Sequence, residues 1–462
     1  MPHTEDNAKF SAQRDASVER GIAADASRQG DYNNSGIPDN LLKKEYQVPE
    51  GGRRGYTVLF GSFMAIMGGL GLMNSIGIYQ ARVASAQLPQ ISTGSIGWIF
   101  GVYNFMAFFG GIQIGPLFDR YGPTWLLLAG LVLYIAFFVL LSFCKAYWQY
   151  FVVIGVFGGA ATSIIFVVPV ACLGHYFDRR RGAATGLAMS GGSLGGIMFP
   201  LLLDHLWSRI GFAWGTRAVG LITIVLVALG CILIRPNPDF PLGHEQSSKG
   251  KRSVLPDFSI LLIPSVALMA AGVFFIEWGF FVGLEYVASY ALSHGIARDQ
   301  AYQMVVYLNA GSFPGRWLPG FLADKFGRLN TMIATNILCA IAMLAIWLPA
   351  NGNLAATIVF AVVFGFASGS NISLVPVCVG ELCDTREYGR YYTTVYTVVS
   401  IGALTGVPIA GEIVHGDGVG YTGLIVFAGA SYVAGLACFG ALKLYTLRRR
   451  SKNEKHCSQD DI

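Results

Sequence analysis

Twelve stretches of this 462-residue chain are each continuously apolar for about the 20 residues a helix needs to cross a bilayer. They fall near 56–79, 95–115, 123–143, 147–173, 183–206, 216–235, 259–283, 300–322, 331–350, 354–377, 391–413 and 421–445. The runs do not alternate between polar and apolar residues, which excludes the strands of an outer-membrane barrel. Only 13% of the chain is charged, against roughly 25% in soluble domains. That leaves too little charge to cover a water-exposed surface, so a soluble enzyme, a disordered protein and a disulfide scaffold are all excluded. The expected fold is an all-α polytopic membrane protein with twelve transmembrane helices.

The charges concentrate outside these spans. Residues 1–54 hold 17 of the 59 charged side chains and show no sustained period, as expected of a disordered tail. A second polar stretch, 236–258, carries Pro236, Pro238 and Pro241 and the run SSKGKR, the composition of a linker. The expected organisation is therefore a tail (1–54), a six-helix bundle (55–235), a linker (236–258), a second bundle (259–446) and a short tail (447–462). Of the 32 Lys and Arg residues, 26 fall on the side holding both tails, five on the other and one, Arg316, within a span. That bias predicts cytoplasmic termini.

The two bundles repeat. GPLFDRYGP after helix 2 parallels GFLADKFGR after helix 8, Gly155 and Gly159 parallel Gly365 and Gly369, and Pro200 parallels Pro408, at separations of 205, 210 and 208 residues. Parallel halves of this kind place a substrate site at their interface near the midplane.

These loops resemble the signature between helices 2 and 3, and 8 and 9, of major facilitator transporters. HYFDRRRGAATGLAMSGG at 175–192 is similar to the helix-5 signature of the monocarboxylate porter family, and GVPIAGEI at 406–413 to the helix-11 pattern of its fungal members. The family's acidic-Gly-aromatic segment before helix 1 is altered here to PEGGRRGY. The resemblance implies alternating access and a plasma-membrane location. It also implies that Arg316 binds a substrate carboxylate, for which its planar fork is suited. A structural salt bridge from Arg316 to Glu277 is the competing reading. Proton-coupled relatives carry a Lys where this chain has Asn74 and an Asp where it has Ser312, so the usual proton relay is interrupted. Glu277, about 18 residues into helix 7, is the replacement candidate, since a buried carboxyl can load and release a proton; the alternative is a Glu at the outer rim facing water. Glu285 is expected at the cavity mouth. Asn74, Asn309 and Asn371 are candidate substrate-wall residues, alongside Ser373; the alternative for Asn309, Asn371 and Ser373 is a hydrogen bond to a neighbouring helix.

At the loops, Asp119, Arg120, Asp324, Lys325, Arg328, Arg180 and Arg181 form a candidate gating set, in which carboxylates face helix N-termini or loop arginines. Alternatively the loops only end helices, and the arginines only set topology. The glycines of helix 5, from Gly186 to Gly196, allow close helix approach whether the interface slides or is static.

Enzyme signatures fail. The match Gly191-Gly192-Ser193-Leu194-Gly195 to G-x-S-x-G lies in a membrane helix rather than after a strand. The seven histidines are scattered, the eight cysteines form no framework, and no phosphate-binding P-loop is present. No cofactor, metal or nucleic-acid partner is expected. The partners are the lipid bilayer and a small, anionic substrate, with proton coupling open. The chain is thus expected to carry a small organic anion or carboxylate-bearing metabolite. Export of a fungal secondary metabolite is the alternative, and a non-transporting nutrient sensor a second one.

Overall fold

The computed structural model describes residues 50–91, 93–237, 258–383, 387–415 and 420–460. The expected tail up to residue 49 and linker residues 238–257 lie outside them. The described chain is helical, and eleven helices are long and apolar enough to span a bilayer: α1 (Gly52–Asn74), α2 (Ser95–Phe118), α3 (Pro123–Leu141), α4 (Tyr147–Leu173), α5 (Arg181–Leu203), α6 (His205–Leu233), α7 (Pro264–Ser293), α9 (Arg328–Ala350), α10 (Leu354–Val379), α11 (Tyr388–Val414) and α12 (Gly420–Arg448). Between α7 and α9 stands α8 (Arg298–Phe326), 29 residues long. Asn309, Ser312 and Arg316 dilute its apolar character, so length and position, rather than hydropathy, make it the twelfth span.

Boundaries shift modestly from expectation. α1 begins at Gly52, inside the stretch assigned to the tail. The helix of α12 runs on to Asp460, through the polar segment assigned to the second tail. After α1 the chain breaks at Asn74–Ser75 and resumes as a short helix, Ile76–Arg82.

The reversal between α5 and α6 falls within His205–Leu233, at Gly211, whose φ of 78° lies in the left-handed region that favours glycine; the residues before it continue the direction of α5. The packing confirms the reversal. Along α1, Gly61 meets Leu233, Gly68 meets Thr223 and Val227, and Gly71 meets Gly195. α6 therefore runs antiparallel to α1, and α5 parallel to it. At Gly71 the Cα of Gly195 fills the place a β-carbon would take; such contact between small residues supplies the dispersion energy that holds helices together in lipid.

The helices form two six-helix bundles, and the loops inferred as repeats share a turn. Gly122 (φ 74°) ends α2 and Gly327 (φ 95°) ends α8, each directly before the next helix. Call the side with the start of α1, these two turns and the start of α5 the tail face, and the other the mouth face. Apolar side chains coat the outside: Trp125 is 75% exposed and Phe143 64%, one at each end of α3.

Candidate substrate site

A cavity of about 360 Å³ lies between the bundles. Its lower wall is built by Leu70, Met73 and Asn74 of α1 and by Arg316 of α8, and it reaches towards the mouth face past Glu285, Ser289 and Leu292 of α7. Phe108, Phe166, Phe280 and Phe281 supply aromatic walls from both halves. Phe108 packs edge-on to Phe166 and Phe281, with centroids 6.0 and 6.3 Å apart.

Arg316 is 2% exposed. Its Nε donates to Ser312 Oγ at 3.2 Å, and its Nη1 donates across the seam to the Met189 carbonyl at 2.8 Å. Ser193 of α5 donates to the same Ser312 hydroxyl at 3.0 Å. Ser312, where proton-coupled relatives are expected to carry an Asp, thus orients the guanidinium and joins the halves. Among the described residues no carboxylate lies within 4.0 Å of Arg316, so the alternative salt bridge to Glu277 is not formed.

The other wall candidates divide. Asn74 lines the cavity and donates to the Gly192 carbonyl at 3.1 Å. Asn309 is buried at the α5/α8 seam, its Oδ1 against Gly196 and its Nδ2 on Val305 O. Asn371 packs inside the second half, with its Nδ2 3.9 Å from Cys339 Sγ. Glu277 also lies inside that half. It is 3% exposed, its Oε2 is buried without a hydrogen-bond donor, and it interacts electrostatically with Tyr392, Tyr396 and Tyr432. None of these three lines the cavity. Glu285 does, half-buried on the mouth side. Sequence reasoning passed over Asn104 of α2, which lines the cavity at 3% exposure with its Oδ1 unpaired. An amide in the middle of an apolar span was the available signal.

The tail face is closed. Asp324, near the end of α8, accepts from the Gly182 and Ala183 amides, both at 2.8 Å. These are first-turn N–H groups of α5, a natural seat for a carboxylate. Glu50 accepts from the preceding amides, Arg179 and Arg180. Arg328 donates to the Asp178 carbonyl at 2.8 Å and pairs with Glu381 at 3.5 Å. Arg181 is buried over the ring of Tyr388, 4.2 Å from its centroid, and so joins α5 to α11. Beside it His175 is buried against Phe118; burial and the Arg181 charge push the imidazole down to about 3, which keeps it neutral. Arg120, Arg180 and Lys325 are exposed and cross no seam with their side chains. The Asp119 side chain lies outside the described positions.

The comparisons with known proteins agree with this architecture. The Major Facilitator Superfamily profile matches residues 55–318 and 286–458. The riboflavin transporter of Saccharomyces cerevisiae is 33% identical over 413 residues, covering 86% of this chain and 79% of that one. The fujikurins efflux protein of Gibberella fujikuroi is 29% identical over 98% of this chain and 94% of its own. Among solved structures, the human organic anion transporter MFSD10 superposes with a TM-score of 0.67 at 13% identity, covering 84% of this chain and 99% of its own. The Escherichia coli fucose:proton symporter gives 0.65 at 16% identity, covering 84% and 98%. The chain belongs to the Major Facilitator Superfamily and is an integral membrane transporter, not an enzyme. At these identities the solved structures speak for the fold alone.

Proposed function

We propose that this transporter carries a small organic anion with an apolar or aromatic body. One observation carries the reading: a buried guanidinium lines the central cavity with no carboxylate beside it among the described residues, so its charge is left for the cargo to complement. The four phenylalanines give the rest of such a molecule an apolar berth. Asn74 stands near Arg316 through Gly192 and completes the polar floor. Export of a secondary metabolite is the second reading, favoured by that apolar wall and by the efflux protein among the relatives. Uptake and efflux of a labelled carboxylate panel in vesicles at set pH gradients tests both, with a matched set of uncharged esters as control. Esters moved as well as the acids would sink the anion reading.

For coupling to protons we keep Glu277. Its carboxyl is buried against the tyrosines of α11, a helix of the inter-half seam, so a change in its charge would be felt where the halves meet. Glu277→Gln should leave substrate exchange intact and remove pH dependence; unchanged pH dependence would discard it. We place both tails in the cytosol on the charge bias, with the plasma membrane as location. Epitopes at residue 10 and at the C-terminus should be reached only in permeabilised cells.

A further inference from the structure

Two charged side chains line the cavity, and they are of opposite sign. Arg316 sits at the floor; Glu285 stands on the mouth side. Among the described residues neither has an ion-pair partner, and they do not pair with each other. Arg316 lies eighteen residues into α8, counted from the mouth face, and Glu285 eight residues from the mouth end of α7. At 1.5 Å per residue their depths differ by about 15 Å. Asn104 lies nine residues from the mouth end of α2, hence at about the depth of Glu285. Its Oδ1 is buried without a donor. One half of the protein therefore presents an unpaired acceptor, and the other a carboxylate, at the same level of one cavity.

Buried acceptors without donors are costly. A carboxylate enclosed with an anionic cargo would also leave the loaded cavity with a net negative charge. A cargo carrying its own cation at the mouth-side end removes both problems. We propose that Glu285, assisted by Asn104, is a second subsite that takes a cationic donor such as an amine. The preferred cargo is then a dipolar molecule, anionic at one end and cationic at the other, with an apolar middle against the phenylalanines. This deepens, and rests on, the assignment of the anion to Arg316.

The test is equilibrium binding to the purified protein in lipid nanodiscs, using two synthetic probes. One is 4-[4-(4-aminobutyl)phenyl]butanoate; the other is its twin lacking the amine, 4-(4-butylphenyl)butanoate. The wild type should prefer the amino probe by roughly 10-fold or more, the worth of a charge-assisted contact. Glu285→Gln should abolish the preference while leaving the twin within about two-fold, and Glu285→Asp should keep part of it. Asn104→Leu should reduce the preference by a smaller factor. Arg316→Gln should weaken both probes alike. The proposal is overturned if Glu285→Gln keeps the preference or weakens both probes equally, or if the wild type binds the amino probe no better than its twin, including not at all. Unaltered binding of both probes by Arg316→Gln would instead reject the anion site while leaving the amine preference to be read on its own.

Discussion

Along the α5/α8 seam, contact is kept from the tail face to the cavity. Gly182 abuts Gly320, Gly186 abuts the Arg316 carbonyl, and Gly196 abuts Asn309. Along the α2/α11 seam the close approach of small residues loosens on the way up, although α2 stays packed on α11, with the Phe108 and Tyr396 ring centroids 5.5 Å apart. Gly115 is pressed against Gly389 and Thr393, Gly101 reaches Leu404 only at 3.8 Å, and Gly97 meets nothing within 4 Å. One seam runs from backbone contact at Gly182 and Gly186 to the Asn309 side chain at Gly196, and the other is a wedge of glycine contacts, pressed tight near the tail face and looser towards the mouth face. The difference assigns them different duties. We expect the first to be where the halves stay joined and the second where they part.

Substitutions can break this comparison, beginning with the largest effect. A β-carbon at Gly186 would collide with backbone rather than a movable side chain, and overpacking costs about 1–3 kcal/mol even where side chains can give. Gly186→Leu should yield no monodisperse, folded transporter in gel filtration, whereas Gly97→Ala should match the wild type. A normal melting temperature for Gly186→Leu would show that the α5/α8 line is not a fixed joint. Next, cysteines at positions 101 and 404, bridged by a short thiol cross-linker, should stop transport until the bridge is released. Transport continuing with the bridge in place would mean that the wedge does not need to move.

Arg316 belongs to both the seam and the cavity. Arg316→Lys keeps the charge but loses the fork, so apparent affinity for an anionic substrate should fall roughly 10- to 150-fold with near-normal surface expression. Equal loss for an uncharged analogue would reduce Arg316 to a structural link. Asp324→Asn should slow turnover a few-fold at unchanged binding affinity, because each carboxylate oxygen takes one α5 N–H and Asn sets an NH2 donor against one of them and removes the charge. Wild-type turnover would make that contact a simple helix end. Arg328→Gln should be the mildest. A partly exposed ion pair is worth about 0–1 kcal/mol, and a change beyond about two-fold in transport would give the Arg328–Glu381 pair a larger part than its geometry suggests.

Much of this was legible in the sequence, for identifiable reasons. Bilayer thickness imposes one helix length, so apolar runs of that length name eleven spans directly, and the repeat of the loop motifs supplies α8 as the twelfth. The parallel motifs fix two halves, and a lone cation in a span marks itself. What could not be read was which side of a helix faces the cavity. Glu277 and Glu285 are eight residues apart on α7, yet one is enclosed among tyrosines and the other lines the cavity. That depends on how α7 packs against α11 and α12, which hydropathy does not encode. Asn309 and Asn371 went the same way: polar residues in apolar helices can serve a seam as well as a substrate. Arg181 looked like its exposed neighbour Arg180, because a run of three arginines does not reveal which one turns inward onto Tyr388.

The exposed aromatic side chains at the two ends of α3 carry a consequence for the host membrane. Trp125 stands in the first turn of α3 and Phe143 in the turn just after its end at Leu141, roughly 25 Å apart along the helix axis, close to the thickness of a hydrocarbon slab. Rings at both rims resist vertical sliding, since movement in either direction drives one of them into or out of the acyl region. We expect this to favour a fixed height for the first half. Its partner would then reach the alternate state by tilting in place, and activity in vesicles should peak at the acyl-chain length whose slab matches that spacing.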